Sequence, residues 1–99
     1  VNIAGGLRMN EPALDLAIVM AVISSLKDKP VNPRTIIFGE VGLAGEVRAV
    51  PMAEQRVNEA KKLGFETCIL PKTSLDKMRK MEGIRMVGVE NIREAISLL

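Results

Sequence analysis

Phe38-Gly39-Glu40-Val41-Gly42-Leu43-Ala44-Gly45-Glu46-Val47-Arg48 carries the signals of a strand running into a tight turn. A strand-like run, Arg34 to Phe38, leads into it. Glycines three apart are then followed by alternating Val47 and Ala49 and by Val50-Pro51. This pattern predicts a strand followed by a hairpin. The recurrence of Gly-Glu-Val is local and implies no repeat architecture.

Downstream, Ala53 to Leu63 predicts an amphipathic helix with Ala53, Val57, Ala60 and Leu63 inward and Gly64 as its stop. Thr67 to Leu70 reads as a strand ended by Pro71, Leu75, Met78 and Met81 as a short helix, and Ile84 to Val89 as another strand. Asn91, with Glu94 three residues on, forms a capping box for a last helix whose Ile92, Ile96 and Leu99 would face inward. Upstream, Val1 to Ile3 reads as a strand and Gly5-Gly6 as a break. Asn10 is the expected N-cap, with Glu11 and Pro12 in the first turn. From Ala13 to Leu26 apolar residues are nearly continuous, which predicts a central helix buried on almost every side. Lys27, Asp28, Lys29 and Pro30 end it. Residues 1–99 thus read as one α+β domain, a mixed sheet packed with helices.

Composition narrows the function. The core must come from Ile, Val, Leu, Met and Ala, because the chain has two Phe and no Tyr or Trp. Few rings also argue against binding single strands by base stacking. There is no His, so His-based catalysis and most catalytic zinc sites are excluded. A net charge of +2 neither demands nor excludes nucleic acid, since a local patch matters more than a total. A lone cysteine, Cys68, cannot form an internal disulfide and suits a reducing cytoplasm. It sits on an apolar strand, as core packing would have it. No stretch reads as a membrane span, and no membrane partner is expected. The opening Val1 in a strand-like run suggests a piece of a longer protein.

Two segments carry a resemblance. One is Gly5-Gly6-Leu7-Arg8-Met9-Asn10-Glu11-Pro12-Ala13-Leu14-Asp15-Leu16-Ala17. The other is the opening stretch, continued to Glu54-Gln55-Arg56. Together with Leu63-Gly64-Phe65 and Ile69-Leu70-Pro71-Lys72, they resemble the C-terminal, Lon-protease-like domain of the RadA family of bacterial DNA repair proteins. That domain is similar to the proteolytic domain of Lon, which implies the fold of ribosomal protein S5 domain 2. Lon carries D-G-P-S-A-G with a nucleophilic Ser, G-E-I-T-L-R-G, and G-G-L-K-E-K with a Lys base. Laid without a gap, Pro12, Pro30-Val31, Gly39-Glu40, Gly64 and Pro71 stay in step. The nucleophile position is then Ala13 and the base position Glu54. A methyl group cannot attack a carbonyl, and Glu54 would have nothing to activate. Arg56, the nearest cation, stays protonated and cannot act as a base. Ser24 and Ser25 lie some three turns along the helix and read as polar residues near its end. No catalytic residue and no metal ligand is expected here.

The resemblance implies a longer protein with a zinc finger and a RecA-like ATPase, so ATP and zinc belong to parts outside this chain. It further implies a motor for recombinational repair that acts on branched or single-stranded DNA intermediates as a hexamer. For the DNA-binding surface the candidates are Arg8, Arg48 and Arg56 around the former peptidase site, with Lys27, Lys29 and Arg34 as a second group. Such contacts give affinity and salt dependence without base readout. Each could equally be a solvated charge, as could the basic run Lys72, Lys77, Arg79 and Lys80. Asp15 could serve the helix dipole or pair with a cation. Two further readings stand beside this one. The first is a pure ring scaffold, with Leu43, the Gly42–Gly45 turn and the Met9 region at subunit contacts. The second is residual serine peptidase activity.

Overall fold

A computed structural model describes the backbone of residues 2–3 and 7–8 and all of residues 11–99. The expected Gly5-Gly6 break, the Asn10 cap and the Met9 contact lie outside the described residues.

At the centre is a parallel three-stranded sheet in the order β3-β6-β7, formed by β3 (Thr35–Ile37), β6 (Thr67–Pro71) and β7 (Arg85–Val89). In register, Ile36 sits beside Cys68 and Cys68 beside Met86, while Ile37, Ile69 and Val87 make the next row. Successive side chains on a strand point to opposite faces, so the sheet has two apolar faces and needs two covers. On one face Cys68 and Leu70, with Ile36 and Met86, pack against Ala53, Val57 and Ala60 of α2 (Ala53–Lys62) and Leu75 of α3 (Lys72–Asp76). On the other, Ile69, Val87 and Val89 pack against Leu16 and Met20 of α1 (Asp15–Lys27) and Ala95 of α4 (Ile92–Ile96). The result is a layered domain with a parallel sheet between helices, in agreement with the expected α+β class. Apart from an isolated antiparallel bridge between Glu46 and Asn91, the described residues pair antiparallel in two ribbons. These are β1 (Asn2–Ile3) with β2 (Leu7–Arg8), and β4 (Glu40–Val41) with β5 (Val47–Arg48).

The hairpin forms where the glycine spacing placed it. The Gly45 N–H donates to the Gly42 carbonyl at 3.0 Å, and the Gly42 N–H to the Glu46 carbonyl at 2.9 Å. The final helix is capped as expected: Asn91 Oδ1 accepts from the Glu94 N–H at 2.9 Å. Glu94 returns the favour one residue further out than the capping box requires, accepting from the Glu90 N–H at 2.6 Å. The expected inward residues Ile92, Ile96 and Leu99 are each only half-buried, and Ala95, outside that set, is the fully buried one.

Two expectations need correction. α1 is not buried on almost every side. Leu16, Met20 and Ser24 form its buried face, whereas Ile18, Val22 and Leu26 are exposed, Leu26 by 78%. A helix lying on one face of a sheet has one inward stripe, and apolar composition alone does not say how many stripes are covered. Leu63 is likewise exposed. Gly64 takes a left-handed φ of 97°, which a side chain would resist, and the Phe65 N–H returns to the Ala60 carbonyl at 3.1 Å. This turn brings Phe65, rather than Leu63, against the core.

Among the described residues no helix is long and apolar enough to cross a membrane. Cys68, in the middle strand, is wholly buried, and burial pushes its thiol pKa up to about 12.

Candidate functional site

Residues 11–17 and 38–56, from the two segments that carry the resemblance, meet at the C-terminal end of β3. Ala13 lies in a 3-10 turn, Pro12–Leu14, that opens α1, and is 3% exposed. Its carbonyl accepts from the Gly39 N–H, and the Gly39 carbonyl accepts from the Leu16 N–H, both at 2.9 Å. Gly39 is held so closely that an added Cβ would lie 3.1 Å from Val47 Cγ1 and 3.3 Å from both Leu16 Cδ2 and Pro71 Cγ. Asp15 extends this stitching: its Oδ2 accepts from the Val41 N–H at 3.1 Å and so ties α1 to the hairpin. The Ala13 methyl packs in the same apolar cluster as Phe38, Val50 and Ala53, immediately before Glu54. The Ala13 side chain is therefore part of the core.

Glu54 is engaged by Arg79 Nη2 at 3.4 Å, a mostly exposed pair of little energetic weight. Arg56 is bound more firmly. Its Nη2 donates to Glu11 Oε1 at 3.0 Å and its Nε to the Pro51 carbonyl at 3.1 Å, while its guanidinium lies 5.9 Å from the centre of the Phe38 ring. Glu11 precedes Ala13 by two residues and Arg56 follows Glu54 by two. The ion pair thus clamps the two motif segments together.

The other cations fall in two places. Arg48 donates through Nε and Nη2 to Glu46 Oε2, at 3.0 and 2.6 Å, yet stays half exposed. Glu46's own backbone N–H, then the Arg48 guanidinium, hold its carboxyl below the usual range, and Glu46 raises Arg48 in turn. Arg8 lies in β2, and its side chain is outside what the structure describes. Lys27, Lys29 and Arg34 lie at the opposite end of the sheet. Lys27, the last residue of α1, and Lys29, in the turn after it, are both exposed, and Ser24 Oγ donates to the Lys29 carbonyl at 2.6 Å. Arg34 approaches the Gly64 carbonyl at 3.4 Å and Glu66 at 4.0 Å. The two cation groups proposed from sequence are thus separate. Ser24 is a helix-end residue, and Asp15 is a structural acceptor. One cation was missed altogether: Arg85, at the start of β7, stands beside Thr67 in the sheet register. Nothing in its local sequence singles it out, because its neighbours come from strands far away in the chain. Among the described residues no group of three or more His, Cys, Asp or Glu side chains is placed to hold a metal.

A family model described as subunit ChlI of Mg-chelatase matches residues 1–74. The chain belongs to that family. This member is also 51% identical over 96 residues to the DNA repair protein RadA of Bacillus subtilis, covering 97% of the chain and 21% of that protein. The RadA of Streptococcus pneumoniae is 48% identical over 93 residues, with 94% and 22% covered. That of Escherichia coli is 42% identical over 98 residues, with 99% and 21% covered. The chain spans about a fifth of the length of these relatives. The resemblance to the C-terminal region of RadA, expected from the two quoted segments, is borne out along nearly the whole chain.

Proposed function

We propose that this chain is the non-proteolytic, Lon-like domain of a RadA-type DNA repair protein, contributing sequence-independent DNA contacts and helping to assemble a ring. The observation that carries the reading is the match to proteins named DNA repair protein RadA, at 42–51% identity, over at least 93 residues of the chain. The chemistry of the former dyad supports the non-proteolytic part, since a buried methyl at Ala13 offers no nucleophile and Glu54 faces a guanidinium. ATP hydrolysis and zinc belong, on this reading, to the remainder of a longer cytoplasmic protein. That protein acts as a hexamer on branched or single-stranded recombination intermediates.

Arg8 and Arg48 carry the proposed DNA surface. Arg56 is less available, because its Nε and Nη2 already have protein acceptors. The test is a titration of a fluorescent single-stranded oligonucleotide into the longer protein with Arg8→Ala and Arg48→Ala combined. Weaker binding and a shallower salt dependence, at unchanged oligomeric mass, are expected. Unchanged affinity rejects that surface. The absence of labelling by a serine-reactive probe checks the non-proteolytic reading, and turnover of an unfolded substrate, abolished by one serine substitution, overturns it.

A scaffold without DNA contact is the second reading. Leu43 at the hairpin tip is wholly exposed, and Ile18, Val22 and Leu26 present apolar surface on α1. Under that reading Leu43→Ser lowers the oligomeric mass of the longer protein while the double arginine variant binds DNA normally.

A further inference from the structure

The parallel sheet begins in one in-register row: Thr35 on β3, Thr67 on β6 and Arg85 on β7. Residues side by side in neighbouring strands present their side chains on the same face, at strand spacings of about 4.8 Å. Two hydroxyls and a guanidinium therefore line up across three strands. Met20, Ile69 and Val87 lie beneath them, and the six side chains line a cleft of about 290 Å³. Met20 and Ile69 are buried, so the floor is apolar, while Arg85 at the mouth is exposed.

The polar row has no internal partners. Among the described residues neither threonine hydroxyl makes a hydrogen bond to protein, and Arg85 makes no ion pair. Arg34, Arg48, Arg56 and Arg79 each meet a carboxylate. Pro30, Val31 and Asn32 close the cleft on another side, directly after the exposed Lys29. Glu66, the acidic neighbour in sequence to Thr67, is directed to Arg34 instead.

These features select a ligand class. One uncompensated guanidinium suits a monoanion better than a dianion. Two hydroxyls can donate to further oxygens, and the apolar floor suits carbon attached to those oxygens rather than more charge. The volume lies at the lower end of ligand sites, about 300 Å³, which admits one such group and not a whole nucleotide. We propose that this cleft binds one phosphodiester monoanion of a nucleic-acid backbone, held by Arg85 together with the hydroxyls of Thr35 and Thr67. The inference rests on the DNA-binding reading above, but places a contact at the end of the sheet opposite the hairpin. Lys27, Lys29 and Arg34 border that end, where a phosphate chain entering the cleft would run past them.

The test has two arms on the 99-residue chain. In the first, diethyl phosphate is titrated into ¹⁵N-labelled protein. Shifts centred on the amides of Thr35, Thr67 and Arg85 are expected, lost in Arg85→Gln and reduced in Thr67→Val, with thermal melting of both variants checked against the parent. Shifts elsewhere, or shifts unchanged by Arg85→Gln, overturn the cleft even if oligonucleotides bind. Isobutyrate producing the same shifts at lower concentration overturns the phosphodiester in favour of a carboxylate. In the second arm a fluorescent single-stranded oligonucleotide is titrated at several salt concentrations. Arg85→Gln is expected to weaken binding about tenfold and to lower the salt slope by about one. Diethyl phosphate binding with no oligonucleotide binding overturns the nucleic-acid assignment and the DNA-binding reading together. Oligonucleotide binding insensitive to Arg85→Gln overturns this contact alone.

Discussion

Arg56 is a clamp as well as a candidate phosphate contact. Its guanidinium joins Glu11 to the Pro51 carbonyl and lies over Phe38, so one side chain ties the turn before α1 to the start of α2. Arg56→Ala is expected to cost about 1–2 kcal/mol, the sum of a partly exposed ion pair, one hydrogen bond to a charged donor and a ring contact. Arg56→Lys should restore only part of this, since an ammonium is a point charge and cannot serve the three partners as a planar fork does. Urea unfolding of the three proteins checks it, and a lysine variant as stable as the parent would show that charge alone holds the segments. Ala13 makes a companion point. Its identity was legible and decisive for chemistry, but that its methyl joins the core with Phe38 and Ala53 could not be read from one dimension.

At the scale of elements, features set by near neighbours in sequence were readable. The Gly42–Gly45 turn, the Asn91 cap and the Gly64 stop each need only a few residues to specify them, and each formed. Features set by distant partners were not. The apolar run of α1 told of helix and hydrophobicity, yet which stripe meets the sheet depends on strands that come later in the chain. The split gives a contrast to measure. Met20→Ala, at a wholly buried position, should destabilise by about 2–5 kcal/mol. Val22→Ser, two residues on and half exposed, should stay within about 0.5 kcal/mol in the isolated chain. Equal losses in denaturant melts would mean that the outer stripe is covered too. Leu63 follows the same logic: helical period placed it inward, but the left-handed turn at Gly64 handed its place to Phe65.

Across the whole molecule, chemistry is laid out at the two ends of one parallel sheet. At the C-terminal end of β3 the turn holding Ala13 is closed over by core packing and the Glu11–Arg56 pair. The opposite end gathers Thr35, Thr67 and Arg85 in a row that exists only once three strands pair in register. This explains why the second set of cations could be suspected from sequence while Arg85 could not: Lys27, Lys29 and Arg34 are close in the chain, and Arg85 joins them by topology. The family resemblance was legible because it rests on quoted residues in fixed order, whereas the geometry of the cleft rests on the pairing of strands.

The thiol of Cys68 offers a built-in clock. It is shielded on the middle strand, with Ile36 and Met86 to either side, and its raised pKa keeps it protonated at neutral pH. A disulfide reagent should therefore reach it only when the two helical covers part and the sheet comes open. The labelling rate should then follow the population of the unfolded chain as urea is added. Prompt labelling in water, at the pace of an exposed thiol, would reveal a breathing motion that leaves the rest of the domain intact.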